Sequence, residues 1–249
     1  MIQALVSSLG LWVLVPSAFW MLMIFDCVRN EPDRQTWLWI LMFLNVAGAA
    51  VYFFACWLPR ANVPVPNYFK RWTLRQPLWN AEAAVRNIGK AHQYVGLGNV
   101  LTEMGTFDKA AEAYEQALQK EPTNTHALWG AAFIALQTKQ FAAARDHLQA
   151  LLKLDQDYKS GEASLLYGKA LFELGDWELA QAHLEQDIKY WSHPESSVLL
   201  ATIQMKAGNP QGARDCLETM LAKVKASPIY HYRRHQHLVK KAEKMLKTL

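Results

Sequence analysis

Residues 91–122 read AHQYVGLGNVLTEMGTFDKAAEAYEQALQKEP. Two stretches with helical apolar periodicity flank Gly105, and Pro122 closes the second. Gly98 and Ala110 are small where two antiparallel helices would have to touch. Gly105 suits the end of the first helix and Pro122 the stop after the second. Asp108 follows the turn, near the start of the second helix, where the helix dipole favours a negative side chain. A helical hairpin of this size cannot bury its apolar face alone, so the segment implies neighbours of its own kind.

Three further copies follow. One starts near Thr125 with Leu128, Ala131, Ala132, Phe141, Ala144, Leu148 and Leu151, and places Lys139 where the turn glycine is expected. Another starts near Gly161 with Gly168, Gly175, Asp176, Trp177, Ala180 and Leu184. The last starts near Pro194 with Leu200, Ala201, Gly208, Ala213, Leu217 and Leu221. The turn positions 105, 139, 175 and 208 are spaced by 34, 36 and 33 residues. In the first copy Tyr94, Leu97, Gly98, Gly105, Ala110, Tyr114, Ala117 and Pro122 match the signature, so the array resembles tetratricopeptide repeats, whose period is about 34. That resemblance implies an all-α fold, an α-solenoid of four repeats over residues 91–228.

From Ile229 to the end the chain reads as one amphipathic helix. Val239, Ala242, Met245 and Leu246 form an apolar stripe, and Lys240, Lys241, Lys244 and Lys247 face outward. A solenoid needs a terminal helix with one polar face, so residues 229–249 are expected to cap the array. Contact of this basic surface with anionic lipid is the competing reading.

The N-terminal quarter is different in kind. Ala4–Phe25 and Trp37–Leu58 carry no charge, and 17 and 20 of their 22 residues are hydrophobic. At about 1.5 Å per residue each can cross a hydrocarbon core of about 30 Å. We expect a transmembrane hairpin in residues 1–58, with Gly48, Ala49 and Ala50 giving the second helix a small surface for packing on the first. Trp37, Trp39 and Trp57 sit where interfacial rings belong. Met1–Gln3 carries no Lys or Arg, and the first apolar run is long, so a cleaved signal peptide is disfavoured. The 26–36 connection has Arg29 and Arg34, offset by three acids, whereas Arg60, Lys70, Arg71 and Arg75 follow the second span. Basic residues favour the cytoplasmic side, which places both the repeats and the N-terminus in the cytoplasm and the short loop outside.

Residues 59–90 link the two regions. Asn62–Asn67 reads NVPVPN, an extended and stiff stretch. Arg60, Lys70, Arg71, Trp72 and Arg75 are candidates for contact with lipid headgroups; packing of this segment on the first repeat is the alternative. Leu78–Ile88, between Pro77 and Gly89, is expected to be a degenerate repeat helix.

The segment MIFDCVRNEPDRQTWLWILMFLNVAGAAVYFFACWLPR resembles the paired transmembrane region at the N-terminus of cardiolipin synthases and related proteins, the phospholipase D-nuclease N-terminal type, through Phe25-Asp26, Trp37/Trp39, Gly48 and Tyr52. In those synthases catalysis belongs to downstream His-x-Lys motifs. No His-x-Lys occurs in this chain, so the resemblance brings an anchor without chemistry. Residues 91–249, with the ending SPIYHYRRHQHLVKKAEKMLKTL, resemble a bacterial membrane-anchored tetratricopeptide family that pairs such a hairpin with such an array.

Composition narrows the function classes. Residues 91–228 hold 12 basic and 17 acidic residues, with basic flanks on either side, so a continuous basic face for nucleic acid is not expected. Cys27, Cys56 and Cys216 show no CxxC spacing. No GxSxG, HExxH, Walker or GxGxxG motif is present, and we expect no catalytic residue, no metal and no cofactor. His231, His235 and His237 include one i,i+4 pair but no evident third ligand.

What remains is a binding surface. Counting from each repeat start, His92, Val95, Asn99 and Thr102, then His126, Trp129 and Phe133, then Glu162, Leu165, Lys169 and Phe172 are expected to line a concave groove for a protein segment. Val198 and Thr202 continue it. The expected function is a scaffold at the bacterial cytoplasmic membrane, anchored by the bilayer and binding an unidentified protein, with homo-oligomerisation left open. A non-catalytic accessory subunit of a phospholipid or envelope enzyme is the alternative.

Overall fold

The computed structural model describes residues 2–30, 34–57 and 73–249, with side chains from Pro16 onward. Among the described residues it contains twelve α-helices and no strand. The chain divides into two compact units, Met1–Pro66 and Asn67–Leu249. Arg60, Lys70, Arg71, Trp72 and the NVPVPN stretch lie outside the described residues.

The larger unit begins with α3 (Arg75–Asn87), which starts ahead of Pro77; the proline fits in the first turn, where its missing N–H has no intrahelical role. Four helical pairs follow: α4 (Ala91–Glu103) with α5 (Phe107–Lys120), α6 (Thr125–Gln137) with α7 (Phe141–Leu154), α8 (Glu162–Leu174) with α9 (Trp177–Tyr190), and α10 (Pro194–Lys206) with α11 (Pro210–Ala226). Helix α12 (Ile229–Leu246) closes the array. Leu78 of α3 packs on the first-pair core, so this helix belongs with the repeats.

Every one of the four expected turn residues has a left-handed backbone: Gly105 (φ 73°), Lys139 (φ 60°), Gly175 (φ 83°) and Gly208 (φ 75°). The turn therefore demands this conformation whatever the residue, and Lys139 adopts it without the freedom of glycine. Asn124 and Asn209 cap α6 and α11, their side chains accepting from the backbone N–H of Ala127 at 3.0 Å and Gly212 at 2.9 Å.

The core runs continuously between pairs. The Tyr114 ring lies against both Gly98 of its own pair and Gly130 of the next, and a Cβ at either glycine would overlap it. Its hydroxyl donates to Asn99 Oδ1 at 2.8 Å. At the other end Leu238, Val239 and Ala242 of α12 are buried with Leu217, Leu221 and Val224 of α11. Leu238 joins the apolar stripe read from the sequence, which did not include it.

In the smaller unit α1 spans Ile2–Asn30 and α2 spans Arg34–Tyr52, continued by a π-turn over Phe53–Trp57. Among the described residues, Arg34–Trp57 is the helix long and apolar enough to cross a membrane by length and composition. It is not straight. Asn45 has φ 49° and ψ −124°, far from helical values, and the helix breaks there. Trp37 and Tyr52 consequently meet edge to face with ring centroids 5.4 Å apart. Gly48 is used in this bend: a Cβ there would lie 2.5 Å from the Ile40 carbonyl oxygen of the same segment. Its smallness serves a close contact within α2, while the adjacent Ala49 is buried with Met23 and Cys27 of α1. Met23, Cys27, Leu41, Ala49 and Tyr52 form the buried centre of the unit.

Candidate protein-binding face

The first helix of each pair carries the expected groove residues. His92, Asn99, His126 and Glu162 are exposed, and Thr102, Trp129, Phe133, Leu165, Lys169 and Phe172 are half-buried. Val95 is instead part of the first core cluster, as Val198 is of the last. The first helices are apolar on more than one side, so periodicity did not separate the groove position from the core.

Two aromatic clusters stand out along these helices. At α6, Trp129 packs against Tyr158, with centroids 5.6 Å apart, and Lys159 Nζ sits 4.2 Å from the centre of the Trp129 ring. His126 Nδ1 lies 3.0 Å from the Tyr158 hydroxyl. Burial pushes the Tyr158 phenol above its usual range, with Asp155 adding to the effect, so the hydroxyl stays protonated and free to donate. At α8, Phe172 meets Trp177 edge to face at 5.4 Å, and Lys206 Nζ stands 4.0 Å from the Trp177 ring centre. A lysine over an exposed ring contributes about 0.5–1 kcal/mol and holds the ring in one orientation.

Between these clusters Lys169 Nζ donates to Glu195 Oε1 at 3.2 Å, tying α8 to α10 across the face. Sequence reasoning missed both Glu195 and Tyr158. Glu195 was within reach of counting: it precedes its turn residue by the same interval as His92, His126 and Glu162 precede theirs. Tyr158 was not, because it lies in the connection between pairs, where the repeat pattern is silent.

A second feature also escaped the sequence. Asp187 is 2% exposed in α9, and its Oδ2 accepts from Ser196 Oγ at 2.6 Å, with His193 Nδ1 at 2.9 Å. Burial alone would raise this carboxyl, but hydrogen bonds from His193, Ser196 and Ser164 outweigh it and hold the group below the usual carboxylate range. The network joins α9 to the start of α10. It also borders a cleft of about 500 Å³ whose lining includes Tyr167, His183 and Trp191.

His231 and His235 of α12 lie side by side, their rings tilted by 51° with centroids 4.6 Å apart. Burial, with the nearby His231, Arg234 and His237, holds the His235 imidazole below its ordinary value. No cluster of three or more His, Cys, Asp or Glu side chains suited to a metal occurs among the described residues.

Comparison with known proteins agrees with this architecture. Residues 101–160 match one tetratricopeptide repeat family, and residues 134–187 and 165–228 match a second. Residues 18–55 match the phospholipase D-nuclease N-terminal family. No curated protein compared by sequence matches the chain. Among solved structures, YrrB, described as a tetratricopeptide-repeat protein with an unusual peptide-binding site, is similar at 20% identity and a TM-score of 0.58, over 69% of this chain and 84% of its own. A MamA RS-1 double mutant is similar at 15% identity and a TM-score of 0.56, over 62% and 86%. MamA residues 41 to the end from Desulfovibrio magneticus RS-1 give 15%, 0.53, 65% and 97%. At these identities the likeness establishes the solenoid fold. Tetratricopeptide repeats are protein-interaction scaffolds, and that is the level at which the array's role is established.

Proposed function

The chain is a tetratricopeptide-repeat protein with an N-terminal region of the phospholipase D-nuclease type, and from that premise we propose that it is a membrane-held scaffold which binds a protein segment along the first helices of its repeats. Residues 1–58 act as the anchor, 59–90 as a linker ending in the degenerate repeat helix α3, 91–228 as the binding array and 229–249 as its cap. The repeats face the cytoplasm of a bacterium. Binding is the whole activity, with no bond made or broken.

One observation carries the groove. Trp129 and Phe133 lie one turn apart on α6 and keep part of their surface in water, although the same helix buries Leu128, Ala131, Ala132 and Ile134. Half-exposed aromatics beside a lysine and a histidine suit the anchor of a peptide that brings both apolar and acidic groups. The apolar segments around Met23 and Leu41 support the anchor, because their exposed residues include Met21, Leu22, Met42 and Phe43.

The test uses the full chain in native membranes. Chemical crosslinking followed by mass spectrometry is expected to recover a partner with the natural chain and to lose it with Trp129→Ala/Phe133→Ala, while the far-ultraviolet spectrum and detergent requirement stay the same. Equal recovery by both proteins would remove the groove. Release of the natural chain by alkaline carbonate without detergent would remove the anchor.

A further inference from the structure

We infer that the second apolar segment enters one leaflet of the bilayer and returns to the side it came from, so that α1 is the chain's single crossing. This rests on the reading of residues 1–58 as a membrane anchor. The occupant assigned to the exposed apolar surface of this hairpin is the acyl region of one leaflet.

The geometry is internal to the smaller unit. In a straight α-helix Trp37 and Tyr52 would be about 22 Å apart along the axis, but their rings touch. Asn45 divides the segment into Arg34–Leu44 and Val46–Trp57. These arms are about 16 and 18 Å long at 1.5 Å per residue, half of a hydrocarbon core of about 30 Å.

Contacts with α1 fix the direction of both arms. Cys27 Sγ lies 3.9 Å from the Arg34 carbonyl oxygen, and Trp20 Nε1 donates to the Leu41 carbonyl at 2.8 Å. The first arm thus runs back along α1. The second reverses again, because the Tyr52 hydroxyl donates to Asp26 Oδ2 at 2.8 Å. Arg34 and Tyr52 therefore sit at the same end of the unit, together with Asp26 and Asn30, whose side chains are hydrogen-bonded at 2.7 Å. At the opposite end the tip exposes Phe43 and Leu44. A polar, tyrosine- and tryptophan-bearing end and a bare apolar tip are what a leaflet-deep hairpin requires. The indole of Trp20 satisfies a carbonyl near the broken end of the first arm, which hydrocarbon cannot do.

Charge supports the same path independently. With two crossings, Arg29 and Arg34 lie on the face opposite Arg60, Lys70, Arg71 and Arg75. With one crossing all six share a face. The expectation from basic-residue counting, with the 26–36 loop outside and the N-terminus inside, is thereby replaced: the loop joins the repeats on the cytoplasmic side and the N-terminus faces outward.

The test is maleimide labelling of the full chain in spheroplasts, with Cys27→Ala, Cys56→Ser and Cys216→Ser as background and one new cysteine at a time. A membrane-impermeant reagent is expected to label Gln3→Cys from outside, and Asn30→Cys and Ala222→Cys only after lysis. Labelling of Asn30→Cys from the side opposite Ala222→Cys would overturn the single crossing. Recovery of the unlysed protein in the soluble fraction would instead defeat the anchor reading itself. If the background accumulates poorly, spin labels at Gln35→Cys and Phe54→Cys in purified, vesicle-reconstituted protein give a second reading. A separation well below the roughly 28 Å of a straight helix supports the fold-back, and about 28 Å overturns it.

Discussion

The Tyr114 ring fills the space that a side chain at Gly130 would need, although the two residues belong to different repeats. The first pair of helices is thereby keyed into the second through an aromatic ring and a missing methyl group. Stability of a solenoid is a sum of such neighbour terms, so a fault here spreads to both repeats.

Gly130→Ala is expected to destabilise the array by about 1–3 kcal/mol, the usual cost of overpacking, and to lower Tm by several degrees in a thermal scan. Tyr114→Val should cost less in the Gly130→Ala background than in the natural chain, because the ring responsible for the clash is gone. Full additivity of the two changes would show that they do not meet.

Lys139→Gly should act in the opposite direction. A left-handed non-glycine residue costs about 1–2 kcal/mol, while glycine loses about 0.4–1 kcal/mol through the freedom of the unfolded chain. A net gain of about 1 kcal/mol, or 2–4 °C in Tm, is expected from denaturation of the purified protein.

Asp187→Asn is expected to cost about 1–3 kcal/mol at neutral pH, since it breaks a buried, charge-assisted network. The natural carboxyl titrates lower in the folded chain than in the unfolded one. Its contribution is therefore complete above the ordinary carboxylate range and is lost as pH falls through the folded value. The Tm gap between the natural chain and the Asp187→Asn variant should stay constant from pH 7 to about 5 and close below about 4.

Lys169→Glu separates stability from binding. Its pair with Glu195 is partly exposed, with side chains 40% and 38% accessible, so the loss should fall within about 1 kcal/mol. Partner recovery by crosslinking is expected to change, and to change less at high salt, because the substitution reverses a charge on the binding face.

The repeat region was legible because its period is written in residues that have few alternatives. Gly105, Gly175 and Gly208 mark left-handed turns directly, and Lys139 could be placed by spacing where composition failed. Side chains that act between repeats were not legible: Asp187, His193 and Ser196 converge only after α9 and α10 have packed, and no periodicity announces that meeting. Val95 shows the same limit from the other side, since a valine on an apolar helix carries no mark of which face it takes. The bend at Asn45 was hidden for a different reason. Hydropathy reports how well a segment tolerates lipid and is blind to its direction, and an asparagine inside an apolar run is a weaker sign of reversal than glycine or proline.

Helix α12 has a consequence for how this array can change. Its Leu238, Val239 and Ala242 already occupy the apolar flank of the final pair, so no additional hairpin can be stacked behind α11 without first evicting it. An inserted hairpin that left this seal in place would have to enter inside the row, between existing turns.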